Sequence, residues 1–251
     1  MNGTIKWTLQ YINARYIPKA LERLQHMKPK KPQYAPLRWT TAAYGQSLQM
    51  VPEPYSSPLL GKKDPKFIQS VVGTLLYYTR LLDPTILCGI NEISRVQYKP
   101  TTDTLEKARI LLDYASTYSS SILCSHASQM IIHVDSDSEY LVMPKSRSCY
   151  AGYFYLSDWP RYKSHKPTPW RNGPILTACK KIRNVLTSAA EAETTGAFNN
   201  AKEGVGIRPS LFAPGNEQPA TPLKTDNFTT ADFFNSGMKP KRSKTWDMRM
   251  H

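Results

Sequence analysis

Two periods of apolar positions divide the chain. Between residues 66 and 116 they recur every three or four residues, the spacing that gathers side chains on one side of a helix. Phe67, Val71, Val72, Leu75, Leu76 and Leu81 predict a first helix, and Ile86, Leu87, Ile90, Ile93 and Val96 a second that starts near Pro84. Leu105, Ala108, Leu111, Leu112 and Ala115 predict a third, opened by Thr101-Thr102-Asp103, with Glu106 three residues after Asp103 as in a capping box. Upstream, a strand over Thr4 to Leu9 precedes a helical stripe of Tyr11, Ile12, Tyr16, Ala20, Leu21 and Leu24, in which Pro18 marks a kink or a late start. Beyond residue 128 the period falls to two. Strands are expected at 131–137, 150–156 and 174–180, the last two separated by a Pro- and charge-rich insert at 158–173. A helix from about Ser188 to Val205 follows, with Ala190, Ala197, Phe198, Ala201 and Val205 on one face. Then come a Pro/Gly loop at 206–221, a short strand Pro222 to Thr225, and a helix through Thr229, Ala231, Phe233 and Phe234.

The breaks between these segments set the domain organisation. Residues 1–65 carry a strand and a helix and then, from Met27 on, a stretch of Pro, Lys, Tyr and Ser that is expected to be an extended connector. Residues 66–127 read as a small helical subdomain, ending in a Ser-rich turn region at 117–127. Residues 128–251 read as an α/β domain. No internal repeat is present.

Charge sharpens this picture. The formal net charge is +14, with 10 Lys and Arg against 2 acids in residues 1–63, 6 against 6 in 64–130, and 17 against 11 in 131–251. Basic ends around a neutral middle favour a polyanionic partner, because neutralising phosphates releases counterions. Arg147, Lys181 and the run Lys241, Arg242 and Lys244 are the candidate backbone contacts, and a run of that kind is also commonly just a solvated face. Cys88, Cys124, Cys149 and Cys179 have no short-spaced pair, which argues against a zinc ribbon or a disulfide framework. No apolar run reaches the roughly eighteen residues needed to cross a bilayer, and no signal-peptide core opens the chain. The expectation is therefore a soluble intracellular protein, cytoplasmic or nuclear, with no membrane partner.

Three acidic islands carry the candidate chemistry. The strand Ile131-Ile-His-Val-Asp-Ser-Asp137 puts His133, Asp135 and Asp137 on one face and Ile132, Val134 and Ser136 on the other. Glu191, with Glu193 close by, falls in the first turn of the 188–205 helix, where an acid also complements the dipole. Asp226 closes a short strand just before a helix, and open α/β sheets place ligands at the carboxyl ends of strands. Each acid alone reads as a cap or a solvated group. Together, delivered from the ends of different elements, they are the oxygen ligands with which a protein holds Mg²⁺ or Mn²⁺ for phosphodiester hydrolysis.

The order of these motifs resembles a known family. Val134 to Ser157, Thr187-Ser-Ala-Ala-Glu-Ala-Glu193, Lys224-Thr-Asp-Asn227 and Lys241 to His251 are similar to the ribonuclease H domain of copia-type retroelement polyproteins. Phe67 to Arg80 and Ala108 to Ala115 resemble the region after the reverse transcriptase palm of the same polyproteins. The resemblance implies a helical thumb- or connection-like region followed by a ribonuclease H-like mixed sheet flanked by helices. It also implies a two-ion nuclease, with Mg²⁺ or Mn²⁺, that cuts RNA in RNA–DNA hybrids, and the rest of a polyprotein as a further partner. Residue by residue, it places the ligands on Asp137, three positions before Tyr140, on Glu191, and on Asp226, with Asp135 and Glu193 as weaker candidates. The family's fourth carboxylate and last strand lie downstream of the segment matching Trp246 to His251, so neither is expected here. No Tyr-x-Asp-Asp polymerase motif occurs. The alternative expectation is a catalytically dead remnant that binds nucleic acid non-specifically through its basic ends.

Overall fold

The computed structural model describes residues 8–38, 57–61, 64–143, 147–159 and 171–236. Residues 4–7 of the expected first strand, most of the 158–173 insert, and Lys241, Arg242 and Lys244 lie outside them. The chain forms two compact units, Met1–Ser125 and His126–His251.

In the first unit β1 (Thr8–Ile12) is followed by helices α1 (Tyr16–Arg23), α2 (Asp64–Leu81), α3 (Leu87–Val96) and α4 (Thr102–Thr117), with a short 3₁₀ turn at Pro84–Ile86 before α3. Pro18 sits in the first turn of α1, the late start that its missing N–H permits. Ile17, Ile68, Val71, Leu75, Ile86, Ile90, Ile93, Leu111 and Leu112 are fully buried and form one core. Each such side chain contributes about 1.5–3 kcal/mol by leaving water.

The cap of α4 is made two residues earlier than the acids suggested. The Thr101 hydroxyl accepts from the Thr104 N–H, while the Thr104 side chain accepts from the Thr101 N–H. Asp103 and Glu106 lie inside the helix and pair with Lys107 and Arg38 instead. A strand absent from the periodicity reading, β2 (Ile122–His126), emerges from the Ser-rich turn region and pairs with β1.

The second unit is built on a four-stranded mixed sheet, in the order β5-β4-β3-β6: β3 (Ile131–Met143), β4 (Arg147–Ser157), β5 (Pro174–Lys181) and β6 (Leu223–Lys224). β3 and β4 are antiparallel, with Val134 opposite Phe154 and Asp137 opposite Ala151. β4 and β5 are also antiparallel, whereas the two-residue β6 lies parallel to β3. Helix α5 (Ala189–Phe212) packs on the face that carries Ile132, Val134, Tyr150 and Phe154, and α6 (Phe228–Ser236) follows β6. This is an α/β fold with a mixed sheet flanked by helices, consistent with the ribonuclease H-like class.

Helix α5 departs from its sequence pattern twice. It runs seven residues past Val205, through Pro209, because Ile207 and Leu211 pack against the sheet core and hold the last turns in place. Its buried residues are Glu191, Ala192, Glu193, Thr194, Gly196, Ala197, Asn200 and Gly204. Of the apolar face expected for it, Ala197 is buried, whereas Val205 is 66% exposed. Between Ala192 and Gly204 the sheet selects small residues that allow close approach, and Val205 is turned outward.

Candidate metal centre

β3 delivers its acids as its alternation dictates. Val134 is buried against α5, and Asp137 emerges exposed on the opposite side, midway along the strand. The Ser138 N–H, just beyond, donates to Asp137 Oδ1 at 2.8 Å and to Glu193 Oε1 at 3.3 Å, tying strand to helix. Asp226 lies two residues past the end of β6 and precedes α6, whose first turn is capped by Asn227 Oδ1 accepting from the Thr230 N–H at 2.9 Å. A bond between the Thr194 and Thr230 hydroxyls, 3.1 Å long, fastens α6 to α5.

These elements bring Asp137, Glu193 and Asp226 together, with one carboxylate oxygen from each within 4.8 Å of the others. Glu193 is 8% exposed, and its Oε2 is buried without a hydrogen-bond partner. Burial first, then the charges of Asp137 and Asp226, push its carboxyl up to about 7, while the Ser138 N–H pulls in the other direction. Three carboxylates facing one another around an unpartnered buried oxygen suit a hard divalent cation.

Glu191, on which the resemblance placed the helix ligand, is not in this group. Ser188 is the N-cap of α5 and its hydroxyl accepts from the Glu191 N–H at 3.1 Å. The Glu191 carboxylate turns back, accepting from the Thr187 N–H at 2.7 Å and the Thr187 hydroxyl at 2.8 Å. At 3% exposure it is a buried cap. Two residues along a helix is a rotation of about 200°, so Glu191 and Glu193 cannot serve the same point. A Glu three residues after a Ser cap commonly turns back toward the helix start, as Glu191 does toward Thr187.

Asp135 shares its strand face with Asp137 but is engaged by Arg171, whose guanidinium also lies 5.6 Å from the centre of the Tyr153 ring. Arg171 was not singled out from the sequence, since nothing in its local pattern marks it. Arg147 donates to the Arg183 carbonyl, and Lys181 is exposed at the end of β5. Among the described residues, no helix is long and apolar enough to cross a membrane.

With a mixed α/β fold and a three-carboxylate group in place, similarity to known proteins narrows the class. The chain is 25% identical over 237 residues to the retrovirus-related Pol polyprotein from transposon TNT 1-94 of Nicotiana tabacum, covering 94% of this chain and 16% of that protein. It is 28% identical over 159 residues to the retrovirus-related Pol polyprotein from transposon RE1 of Arabidopsis thaliana, covering 61% of this chain and 10% of that one. The chain is thus similar to part of plant retrotransposon Pol polyproteins and spans a small fraction of their length. No family profile matches it, and neither does any solved structure.

Proposed function

We propose that the second unit is a divalent-metal-dependent nuclease of the ribonuclease H type, belonging to the copia-like class of retroelement polyproteins and acting on RNA–DNA hybrids. The observation that carries this reading is the convergence of Asp137, Glu193 and Asp226 around a buried carboxylate oxygen with no partner. Asp137, Glu193 and Asp226 would hold Mg²⁺ or Mn²⁺, with Glu193 taking the place first assigned to Glu191. Bound ions of this kind supply an activated water and neutralise charge at the phosphorus. The chain's own part is to fix the ligands. The Ser138 N–H orients Glu193, and Glu191 braces the helix start that carries it. The net charge of +14 supports backbone recognition of a polyanion, and hybrids are read by shape and 2′-hydroxyls.

The test is cleavage of an end-labelled RNA–DNA hybrid by the purified chain with Mn²⁺. Cleavage is expected to be lost in Asp137→Asn and Glu193→Gln but retained in Glu191→Gln, which removes only a cap worth about 1 kcal/mol. Salt-sensitive hybrid binding without cleavage, unchanged in the carboxylate variants, would establish the binding-only reading in its place.

A further inference from the structure

The inner stripe of α5 meets β3 at three evenly spaced points. Gly196 lies against Ser138, Asn200 against Ser136, and Gly204 against Val134. The helix number rises as the strand number falls, so the two run in opposite directions. Eight helical residues from Gly196 to Gly204 advance about 12 Å, and four strand residues from Ser138 to Val134 advance about 13 Å. One helical turn therefore matches one strand repeat, and the seam is a regular ladder.

A regular ladder can slip. Gly196 and Gly204 are the same residue and offer the strand the same surface. Asn200 alone differs among the three. It is 0% exposed, and its Nδ2 donates to Ser136 Oγ at 2.9 Å and to the Ala151 carbonyl on β4 at 2.8 Å. Gly152 makes room for it, because a Cβ there would stand 2.8 Å from Asn200 Cγ. A slip of one turn would carry this amide away from both acceptors and bury it without partners. It would also move Glu193 by about 6 Å along the helix axis, out of reach of Asp137.

We propose that Asn200 is a positioning residue that fixes the register of α5 on β3 and so sets Glu193 against Asp137 and Asp226. The residue touches neither substrate nor ion. It acts two turns away, through the helix backbone. The inference rests on the metal-centre reading for its consequence, though not for its geometry.

Two readouts separate the two. Mn²⁺ binding is measured by titration calorimetry on the full chain, and the exchange rate of the Ser138 amide, shared without any ion between Asp137 Oδ1 and Glu193 Oε1, is measured by NMR. Asn200→Ala is expected to weaken Mn²⁺ binding about ten- to a hundredfold and to lower the protection of the Ser138 amide, which keeps its bond to Asp137 but loses Glu193. Ser136→Ala removes one acceptor, keeps the fold should Asn200→Ala not do so, and is expected to shift both readouts in the same direction. Leu211→Ala, on the same helix and packed on the core, controls for lost stability and is expected to leave Mn²⁺ affinity within about twofold.

If the Ser138 amide exchanges in Asn200→Ala and Ser136→Ala at the wild-type rate, the inference is overturned. The same holds if Leu211→Ala disturbs both readouts equally at a matched loss of melting temperature. Failure of the wild-type chain to bind Mn²⁺ overturns the metal-centre reading instead, while Ser138 protection still decides the role of Asn200.

Discussion

The core of the first unit and the α5–β3 seam of the second are both helix contacts, but they are made of opposite materials. In the first unit Ile68, Leu75, Ile90, Leu111 and Leu112 fill space with large aliphatic side chains. The seam uses Gly196, Asn200 and Gly204 against Ser138, Ser136 and Val134, and brings backbones together. Aliphatic interdigitation supplies stability and tolerates adjustment. A close backbone seam contributes less burial, yet it fixes distances, and a group of converging carboxylates needs fixed distances more than it needs stability.

Four substitutions or conditions test that contrast. Leu111→Ala should cost the most, about 2–5 kcal/mol of unfolding free energy, read by urea denaturation, with Mn²⁺ affinity unchanged. Gly196→Ala should cost less stability, about 1–3 kcal/mol, because a Cβ there meets Ser138 Oγ and stands 2.9 Å from Tyr150 Cβ. It should nevertheless impair Mn²⁺ binding, which Leu111→Ala does not. A Gly196→Ala chain with full metal affinity would erase the distinction between the two contacts.

Acidity provides a finer test. The Glu193 carboxyl, raised to about 7 from its usual 4.5, holds a proton in the folded apo chain that the unfolded chain has already released. Metal-free stability should therefore fall as pH rises from 4.5 through 7. Mn²⁺ affinity should rise over the same interval and level off above it, because the ion must displace that proton. Calorimetric titrations at pH 5.5, 6.5 and 7.5 check the sign, and Glu193→Gln should flatten the stability trend. The smallest effect belongs to Val205→Ala. At 66% exposure, that change should stay within about 0.5 kcal/mol, although the sequence pattern had put Val205 on the packed face.

That misplacement shows where the sequence was legible. The three aliphatic helices of the first unit could be read from spacing because their buried residues are the apolar ones. The β3 alternation was equally readable, and it set Asp137 correctly apart from Val134. Helix α5 was read one face out of phase because its buried residues are glycine, alanine, threonine, asparagine and glutamate, which carry little hydrophobic signal. The resemblance, and not the helix phase, ranked Glu191 ahead of Glu193. Strand β2 was missed because five residues in a Ser-rich segment give too short a window for a period of two. Arg171 is paired through space with Asp135 and has no local mark at all.

The two-residue β6 has a consequence for how the centre works. Asp226 hangs from a ladder of only Leu223 and Lys224 against β3, and in the helix that follows only Thr230 is buried. Asp137 and Glu193, by contrast, sit on the longest strand and the longest helix of their unit. A segment held by so few interactions opens locally at small cost, well below global unfolding. In the proposed metal centre, ion binding and closure of Leu223–Asp226 would form a single equilibrium, in which the measured dissociation constant equals the intrinsic one divided by the closed fraction. Amide exchange across 223–226 should slow as Mn²⁺ is added, while exchange along β3 stays constant. On this view the third carboxylate works as a latch, and the lifetime of the closed state sets how long the centre remains assembled.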